Sequence, residues 1–223
     1  MKSITFMATT GDDYHIKSLP TLSTLPRPVA WFTDDVDAVI KISKDYPVLF
    51  EGVSIRYCEK HKNHAMMSIL ALEIMLESDE FDTAVWVDSD IINLGGVENL
   101  LKLNDADIYV NSLHIPHVNG GVYNFNLKSL REKPFHFESN MFPDDEHFVR
   151  FQMVFGYITT TYSLNYNRLL HVDYNRCAEF QEDAILHYMH LHCENRSAFV
   201  DYSYYDNAVE NVAKLKVDHI TEL

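Results

Sequence analysis

Apolar residues in this chain fall into short continuous runs that are separated by polar and acidic breaks. The runs at 3–10, 28–35 and 83–88 are rich in β-branched and aromatic residues, and acidic side chains close or follow each of them. Such runs are typical of strands that are buried on both faces of a sheet. Segment 105–112 predicts a further strand, and 119–130 predicts a strand that leads into a helix.

Other segments carry apolar residues at helical spacing. Residues 61–78 have apolar side chains at positions 66, 67, 69, 70, 72, 74, 75 and 76, which predicts a long and mostly buried helix. Four further segments predict helices: 14–25, 95–103, 142–157 and 198–215. In the first of these, Pro20 is expected near the start of the helix or at a kink. Segments 162–172 and 178–190 predict more strands around a turn.

Strands that alternate with helices indicate an α/β fold with a mostly parallel central sheet flanked by helices. The chain has 223 residues, of which 47% are apolar, and it contains only seven Gly and seven Pro. It shows no linker of low complexity and no internal repeat. We therefore expect a single domain over 1–223 with one sizeable core.

The charge of the chain narrows the choice of partners. The formal net charge is −15, and Lys and Arg are scattered along the sequence. Such a surface repels a phosphate backbone, so we expect no nucleic-acid partner. An anionic ligand would need a cation to hold it, which directs attention to clustered carboxylates.

Localisation signals and a disulfide framework are not evident. No apolar run is long enough for a signal-peptide core or for a membrane span of about 18 residues. Three cysteines, Cys58, Cys177 and Cys193, show no C-x-x-C spacing. We expect a cytoplasmic protein with reduced thiols.

The pattern Asp-x-Asp occurs three times, and position along the chain distinguishes the three pairs. Asp88 and Asp90 directly end the most apolar strand, with more apolar sequence beyond them. Asp105 and Asp107 precede a strand, so they are expected at the opposite edge of the sheet, in a solvated turn. The remaining pair ends at Asp37, which is expected in a loop.

Two interpretations of Asp88 and Asp90 are open from these residues alone. They are either a strand-end turn in water or a pair that turns toward a hard divalent cation. Ligands in an open parallel sheet bind beyond the carboxyl ends of its strands, where this pair lies. Oxygen ligands suit Mg²⁺ or Mn²⁺, and these ions commonly bind phosphate oxygens of a substrate as well.

Four segments, in the correct order, resemble the GT-A-fold glycosyltransferases. The stretch "AVWVDSDII" (84–92) is similar to their Asp-x-Asp strand. In the branch that includes glycogenin and bacterial lipopolysaccharide galactosyltransferases, "ATTGDDY" (8–14) is similar to the first nucleotide-binding loop. There, "VNGGVYNFNL" (118–127) is similar to an Asn-x-Gly-Val strand, and "YSLNYN" (162–167) to a later Leu-Pro-x-x-Tyr-Asn segment. The resemblance spans roughly residues 3–196.

This resemblance implies one Rossmann-like GT-A domain with a nucleotide-binding half at about 1–95 and an acceptor and sugar half at about 96–223. It implies transfer of a sugar from a nucleotide-diphosphate sugar, a UDP-sugar, to a hydroxyl group of a carbohydrate or glycoprotein acceptor. The implied metal is Mn²⁺ or Mg²⁺. The chain could also be part of a larger multidomain polypeptide.

The resemblance also implies roles for residues near the nucleotide. Ala8, Thr9 and Thr10 would lie under the nucleoside, Tyr14 would stack on uracil, and Asp34 would accept a hydrogen bond from the base or ribose.

The diphosphate and the donor sugar are expected to meet a second group of residues. Asp88 and Ser89 would meet the donor, Asp88 at ribose or sugar hydroxyls and at the metal. Three residues of the Gly-containing strand, Asn119, Gly120 and Gly121, would let the backbone approach the donor sugar. Lys62, before the Asp-x-Asp strand, is where the family often has a basic residue.

The implied metal site has Asp88 and Asp90 as ligands and is completed by a late histidine. We prefer His190, because Arg196 follows it at the distance at which the family has a diphosphate-binding lysine. His187 fits the local pattern almost as well, and His192 comes third. The family's Lys-Pro-Trp ending is absent, so Arg196 is the candidate for the diphosphate contact.

The catalytic base is implied only for an inverting enzyme. There it is often an acid at the start of a helix after the Gly-containing strand, where Asp144, Asp145 and Glu146 lie. Glu182 and Asp183 are weaker candidates. A retaining enzyme uses no such base, so the stereochemistry stays open.

Three other classes share part of this pattern. A haloacid-dehalogenase-like phosphatase has Asp-x-Asp on its first strand, and a sugar-phosphate nucleotidyltransferase has a Gly-rich basic loop that "ATTGDDY" lacks. A non-catalytic nucleotide-sugar-binding module of a larger protein is the third alternative.

Overall fold

In the computed structural model, residues 1–61, 63, 66–114, 117–133, 147, 159–161, 168–169, 183–188 and 200–217 are described. Within these ranges the chain forms one large sheet, one small sheet and seven α-helices.

The large sheet has seven strands within the part of the chain that is described. They are β1 (Ser3–Thr9), β2 (Val29–Thr33), β3 (Val53–Tyr57), β4 (Thr83–Val87), β6 (Ile108–His114), β7 (His117–Asn126) and β8 (Thr159–Thr161). Their spatial order is β3-β2-β1-β4-β7-β6-β8. Six strands run in one direction, and β7 is antiparallel to both of its neighbours. The predicted α/β fold with a mostly parallel sheet is confirmed.

The small sheet joins distant parts of the chain. It consists of β5 (Ile91–Asn93), β10 (Ile185–His187) and β9 (Arg168–Leu169), in that order. The central strand, β10, is antiparallel to β5 and parallel to β9. Because β5 begins three residues after Asp88, this sheet brings the neighbourhood of residue 187 to the end of β4.

The helices lie between the strands of the large sheet. They are α1 (Asp12–Lys17), α2 (Leu19–Thr24), α3 (Val36–Asp45), α4 (Met67–Leu76), α5 (Gly96–Leu100), α6 (Leu127–Glu132) and α7 (Ser203–Lys214). The predicted helix over 14–25 is divided at Ser18, and Pro20 is the second residue of its second part, where the missing N–H of proline is tolerated.

Each face of the large sheet has its own apolar core. Alternating residues of one strand point to opposite faces, so Phe6 packs with α4 on one side while Met7 packs with α2 and α3 on the other. Helix α4 is apolar nearly all round and supplies Met67, Ile69 and Leu72 to the first core. Both faces are therefore covered, as the continuous apolar strands predict.

Two features between β2 and β4 were not expected from the sequence. Residues 36–45 form α3, so Asp37 lies in a first helical turn and its assignment to a loop is wrong. The Asp35 side chain caps this helix by accepting a hydrogen bond from the Ala38 backbone N–H at 2.9 Å. Strand β3, which pairs in parallel with β2, was also missed because it is a half-buried edge strand with a weak apolar pattern.

The expectation of a solvated turn at Asp105 and Asp107 is wrong for Asp107. Its side chain is buried, with 2% exposed, and it pairs with the ammonium group of Lys133 and the hydroxyl group of Ser129. Its backbone carbonyl accepts from the Asn126 N–H at 2.9 Å. A buried carboxylate needs such partners, and α6 supplies them only after folding.

No helix among the described residues is both long enough and apolar enough to cross a membrane.

Candidate metal centre and adjoining cavity

The turn that carries Asp88, Ser89 and Asp90 connects β4 to β5 and is fixed by backbone contacts on several sides. The Asp88 N–H donates to the Gly121 carbonyl of β7 at 2.9 Å. The Thr21 hydroxyl of α2 donates to the Ser89 carbonyl at 2.7 Å. These contacts hold the turn at the carboxyl end of β4, beside the carboxyl end of β1.

His187 is brought to this turn by the small sheet. It pairs with Ile91 in the antiparallel register of β10 and β5, and the next residue, Tyr188, donates its N–H to the Asp90 carbonyl at 3.0 Å. The His187 Nε2 atom lies 3.3 Å from Asp90 Oδ1 and 3.8 Å from Asp88 Oδ2. Strand pairing therefore selects His187 as the partner of the two carboxylates.

The three side chains have the donor set and the spacing of a metal centre. One ligand atom from each of Asp88, Asp90 and His187 lies within 4.8 Å of the other two. Ligand atoms about 2.1 Å from one hard cation in octahedral geometry lie about 3 to 4.2 Å apart, so separations of 3.3 and 3.8 Å fit a shared ion. Two carboxylates favour a hard divalent cation, and one imidazole is compatible with several divalent transition metals.

The pKa values of Asp88 and His187 are shifted because the site is buried and its charged groups lie close together. Burial raises the pKa of Asp88 to about 7; His187 opposes this increase, and the Asp90 carboxylate adds to it. The side chain keeps 40% of its surface exposed, on the side that lines a cavity. Burial alone would lower the pKa of His187, but the carboxylates of Asp90 and Asp88 raise it above the usual value. A cation in their midst would relieve the repulsion between the two carboxylates.

A cavity of about 380 Å³ adjoins Asp88, a size typical of small-molecule sites. It is lined by residues from the ends of β1 and β4, from α1 and from α4: Ala8, Thr9, Thr10, Tyr14, Met67, Trp86, Asp88 and Ser89. Six of these eight residues are ones that the sequence assigns to the nucleotide or to the metal. The structure therefore brings together the two segments, 8–14 and 88–90, that the resemblance links.

Two residues of the cavity lining were not predicted. Trp86 lies on β4, two residues before Asp88, which follows the strand. Side chains at this spacing share one face of a sheet, which is a signal that the sequence contained. Its indole N–H donates to the Gly120 carbonyl at 3.1 Å, so it joins β4 to β7 beside the Asp-x-Asp turn. Met67, at the start of α4, carries no comparable signal in the sequence.

Tyr14 presents its ring at the rim of the cavity. Its side chain is 44% exposed, and the Lys17 ammonium group lies over the ring, 5.7 Å from its centroid. An exposed aromatic ring beside an apolar and hydroxyl-lined cavity suits stacking on a flat ligand.

The structure also shows where the predicted residues outside the cavity lining lie. The Asp34 Oδ1 atom, beyond β2, is buried and has no hydrogen-bond partner among the described residues, so it is an acceptor that a ligand donor could satisfy. Gly120 and Gly121 lie on β7 next to Trp86 and Asp88, and Asn119 lies on the same strand. Asp183 is hydrogen-bonded to Asn99 of α5 at 2.8 Å.

Several candidates lie outside the described residues. These are Lys62, Asp144, Asp145, Glu146, Glu182, His190, His192 and Arg196. Of the three candidate histidines, His187 is therefore the one that the structure places at the carboxylates.

The fold is similar to that of solved glycosyltransferases. The glycosyltransferase GlyE of Streptococcus pneumoniae TIGR4 is 14% identical with a TM-score of 0.61, and the match covers all of this chain and 67% of that one. The galactosyltransferase LgtC, solved in complex with donor and acceptor sugar analogs, is 12% identical with a TM-score of 0.63, covering 97% of this chain and 98% of that one. The bifunctional glycosyltransferase WbbM is 15% identical with a TM-score of 0.56, covering 95% of this chain and 50% of that one.

At these identities the similarity shows the fold, which is the GT-A fold of these proteins and confirms the prediction. This chain spans about two thirds of the pneumococcal chain and half of the WbbM chain. No protein-family model matches the sequence, and no curated protein matches it.

Proposed function

We propose that this chain is a metal-dependent glycosyltransferase that moves a sugar from a nucleotide-diphosphate sugar, a UDP-sugar, to a hydroxyl group of a carbohydrate or glycoprotein acceptor. The observation that carries the proposal is the cluster of Asp88, Asp90 and His187 at the wall of a cavity whose other wall is the β1–α1 segment. A GT-A fold with this arrangement at the carboxyl end of the central strand supports sugar transfer over other chemistries.

Asp88, Asp90 and His187 would hold the ion, Mn²⁺ or Mg²⁺. When bound, this ion supplies Lewis-acid stabilisation of the charge that develops on a departing diphosphate. Among the described residues, no Lys or Arg lines this cavity, so a bound cation would offset the negative charge of its acidic residues when an anionic donor binds.

The chain's own residues would bind and orient the rest of the donor. Tyr14 would stack on the base, and the small or short side chains of Ala8, Thr9 and Thr10 leave room for the nucleoside. Asp34, whose buried oxygen lacks a donor, would accept a hydrogen bond from the base or the ribose. Trp86 would shape the cavity beside Asp88 and hold the Gly120 backbone near the sugar.

The remaining assignments rest on the resemblance. We place the nucleotide-binding half at about 1–95 and the acceptor half at about 96–223, with Arg196 or Lys62 at the diphosphate. In an inverting reaction, one of Asp144, Asp145 and Glu146 would deprotonate the acceptor hydroxyl. A cytoplasmic location and membership of a larger polypeptide stay predictions of the sequence.

The test is a binding and turnover measurement with Mn²⁺ and a panel of nucleotide sugars. We expect the wild-type protein to bind a UDP-sugar in the presence of Mn²⁺ and to hydrolyse it slowly without an acceptor. Asp90→Ala is expected to lose at least about 100-fold in turnover, since a missing electrostatic stabiliser commonly costs that much. Asp105→Ala, which alters an Asp-x-Asp pair at the opposite edge of the sheet, is the matched control.

The proposal fails if no nucleotide sugar binds with Mn²⁺, or if Asp90→Ala binds and turns over as the wild type does. Hydrolysis of simple phosphomonoesters would instead favour a phosphatase of the haloacid-dehalogenase type. The structure does not favour that alternative, because Asp88 and Asp90 follow the fourth strand of the chain and not the first.

A further inference from the structure

Four buried side chains form a series of hydrogen bonds at the carboxyl ends of β1 and β2, next to the cavity. The Trp31 indole nitrogen is 2.7 Å from the Thr9 hydroxyl oxygen, which is 2.7 Å from His15 Nδ1. The other ring nitrogen of His15, Nε2, is 3.4 Å from the Thr33 hydroxyl oxygen. All four side chains are at most 4% exposed.

Trp31 fixes the direction of one of these hydrogen bonds. Its indole N–H can only donate, so the Thr9 oxygen accepts from it. A threonine hydroxyl group both donates and accepts, so the direction of the bond between Thr9 and His15 Nδ1 follows the tautomer of the imidazole. The Thr33 hydroxyl oxygen lies 3.4 Å from His15 Nε2 and also accepts from the Asp35 backbone N–H at 3.0 Å.

His15 joins α1 to the sheet through its side chain. Among residues 13–17 of this helix, it alone has a buried side chain, with 0% exposed, while Ile16 is 59% exposed. The helix has six residues and no side-chain N-cap, so its intrinsic stability is small. Apolar packing of the side chains at 13–17 does little to hold α1 in place. Its tethers to other elements include the bonds of His15 to β1 and β2 and the bond from the Tyr205 hydroxyl to the Lys17 carbonyl at 3.3 Å.

The residue before His15 is Tyr14, whose ring lines the cavity. Both residues follow the turn at Gly11, and the Tyr14 N–H donates to the Gly11 carbonyl at 3.1 Å. Gly11 has φ of +82°, which glycine adopts without strain, and no described atom lies within 4 Å of the place that a Cβ atom would take, so side-chain packing does not support the turn there. The orientation of Tyr14 over the cavity therefore depends on the adjacent anchor.

We propose that His15 is a positioning residue of the ligand site: its hydrogen bonds to Thr9 and Thr33 fix α1 and thereby set Tyr14 for stacking on a nucleotide base. Trp31 gives this anchor a rigid end, because its ring is stacked on Phe50 with centroids 5.4 Å apart. The part that concerns the base rests on the proposed function, whereas the fixing of α1 does not.

The first test is hydrogen exchange of the backbone amides of residues 14–18 in the protein without ligand. His15→Leu removes both ring hydrogen bonds at similar volume and is expected to accelerate exchange in this segment roughly tenfold, the usual effect of losing a buried hydrogen bond. Thr33→Val, which removes one acceptor outside the cavity lining, is expected to accelerate it less. Ile16→Ala, on the exposed side of the same helix, is the matched control and is expected to change nothing.

The second test is the affinity for UDP in the presence of Mn²⁺. We expect His15→Leu to weaken UDP binding roughly tenfold, and His15→Asn and His15→Gln, which restore an acceptor or a donor, to recover part of it. In a double-mutant cycle, His15→Leu should cost much less in a Tyr14→Ala background, because the anchor acts through that ring.

The outcomes separate this inference from the proposed function. Unchanged exchange in His15→Leu and Thr33→Val overturns the fixing of α1, whatever UDP does. Full additivity of His15→Leu and Tyr14→Ala overturns the action through Tyr14. Failure of the wild type to bind UDP overturns the proposed function and the stacking role, and leaves the exchange result to decide on the anchor.

Discussion

At the scale of single residues, the candidate metal centre places two like-charged carboxylates beside one imidazole. The carboxylates of Asp88 and Asp90 both lie near His187 Nε2. The Asp90 Oδ1 atom is the nearer of the two, at 3.3 Å. The pKa values of both Asp88 and His187 are raised. A protein with this arrangement should bind a divalent ion in competition with protons.

The affinity for Mn²⁺ should therefore rise with pH. Metal ligands must be deprotonated, and a raised pKa of about 7 for Asp88 means that protons compete near neutrality. The raised pKa of His187 likewise favours protons over Mn²⁺ at low pH. We expect the dissociation constant, measured by titration calorimetry between pH 5.5 and 8.5, to fall steeply as pH rises through 7. A flat profile would contradict it.

The choice between histidines can be tested directly. His187→Ala is expected to weaken Mn²⁺ binding at least about tenfold, because it removes one of three protein ligands. His190→Ala, the candidate that the sequence favours, should have a smaller effect, and His147→Ala serves as a control. A larger loss in His190→Ala than in His187→Ala, measured by Mn²⁺ electron paramagnetic resonance, would reverse this assignment.

At the scale of elements, strand pairing determines which residues meet. Segment 84–92 predicted a strand followed by a metal pair, and the structure confirms the strand as β4. The register of β10 on β5 could not be predicted, because a strand of three residues has almost no pattern of its own. This is why the sequence favoured His190 by its distance to Arg196, and the structure places His187.

The end of α6 is joined to the start of β6 through the pair of Lys133, the residue after the helix, and Asp107, the residue before the strand. Removing the cation leaves a carboxylate with 2% exposure without its charge partner. Lys133→Met is therefore expected to destabilise the protein by about 2–3 kcal/mol, somewhat below the cost of breaking a fully buried pair because Lys133 is partly exposed. Urea unfolding measures the change in the free energy of unfolding, and Lys102→Met is the control. If Lys133→Met destabilises the protein no more than Lys102→Met does, the pair of Lys133 and Asp107 has no stabilising role.

Helix α4 contains a carboxyl group whose charge opposes folding. Burial, together with the neighbouring Glu77, raises the pKa of Glu73 to about 7. A raised carboxyl pKa gives stability that is complete below its usual value of 4.5 and is lost as pH rises to about 7.

Glu73→Gln should accordingly stabilise the protein at pH 8 and change little at pH 5. The gain at pH 8 is expected to be about 1 kcal/mol after allowance for solvent screening of this half-buried group, or about 2–4 °C in Tm for a domain of this size. Differential scanning calorimetry at both pH values measures it. Glu210→Gln, at an exposed position of α7, is the control, and equal shifts at both pH values would contradict the assignment.

At the scale of the whole molecule, the candidate ligand site is a junction between segments far apart in the sequence. Residues 8–14, 67, 86–89 and 187 converge at one edge of the large sheet. Binding at such a junction stabilises the folded chain as a unit, because the unfolded chain has no site.

Mn²⁺ and UDP together should raise the thermal stability. At concentrations of about 100 times the dissociation constants, binding adds about 2.7 kcal/mol, which corresponds to an increase in Tm of roughly 5–11 °C. Differential scanning fluorimetry with each ligand alone and with both measures it. In Asp90→Ala, most of the increase in Tm that Mn²⁺ and UDP produce together should be lost. An increase as large as that of the wild type would count against a site that Mn²⁺ and UDP share.

The sequence by itself determined the α/β architecture, the central strand with its Asp-x-Asp end, and the identity of the β1–α1 segment as one wall of the site. These features are encoded locally, in apolar runs, turn residues and motif order. The tertiary structure decided the features that depend on pairing across the chain. It placed His187 beside the two carboxylates, added Trp86 and Met67 to the cavity, buried Asp107, and set His15 as the anchor of Tyr14. Contacts between residues distant in sequence arise from strand register and core packing, which no single segment specifies.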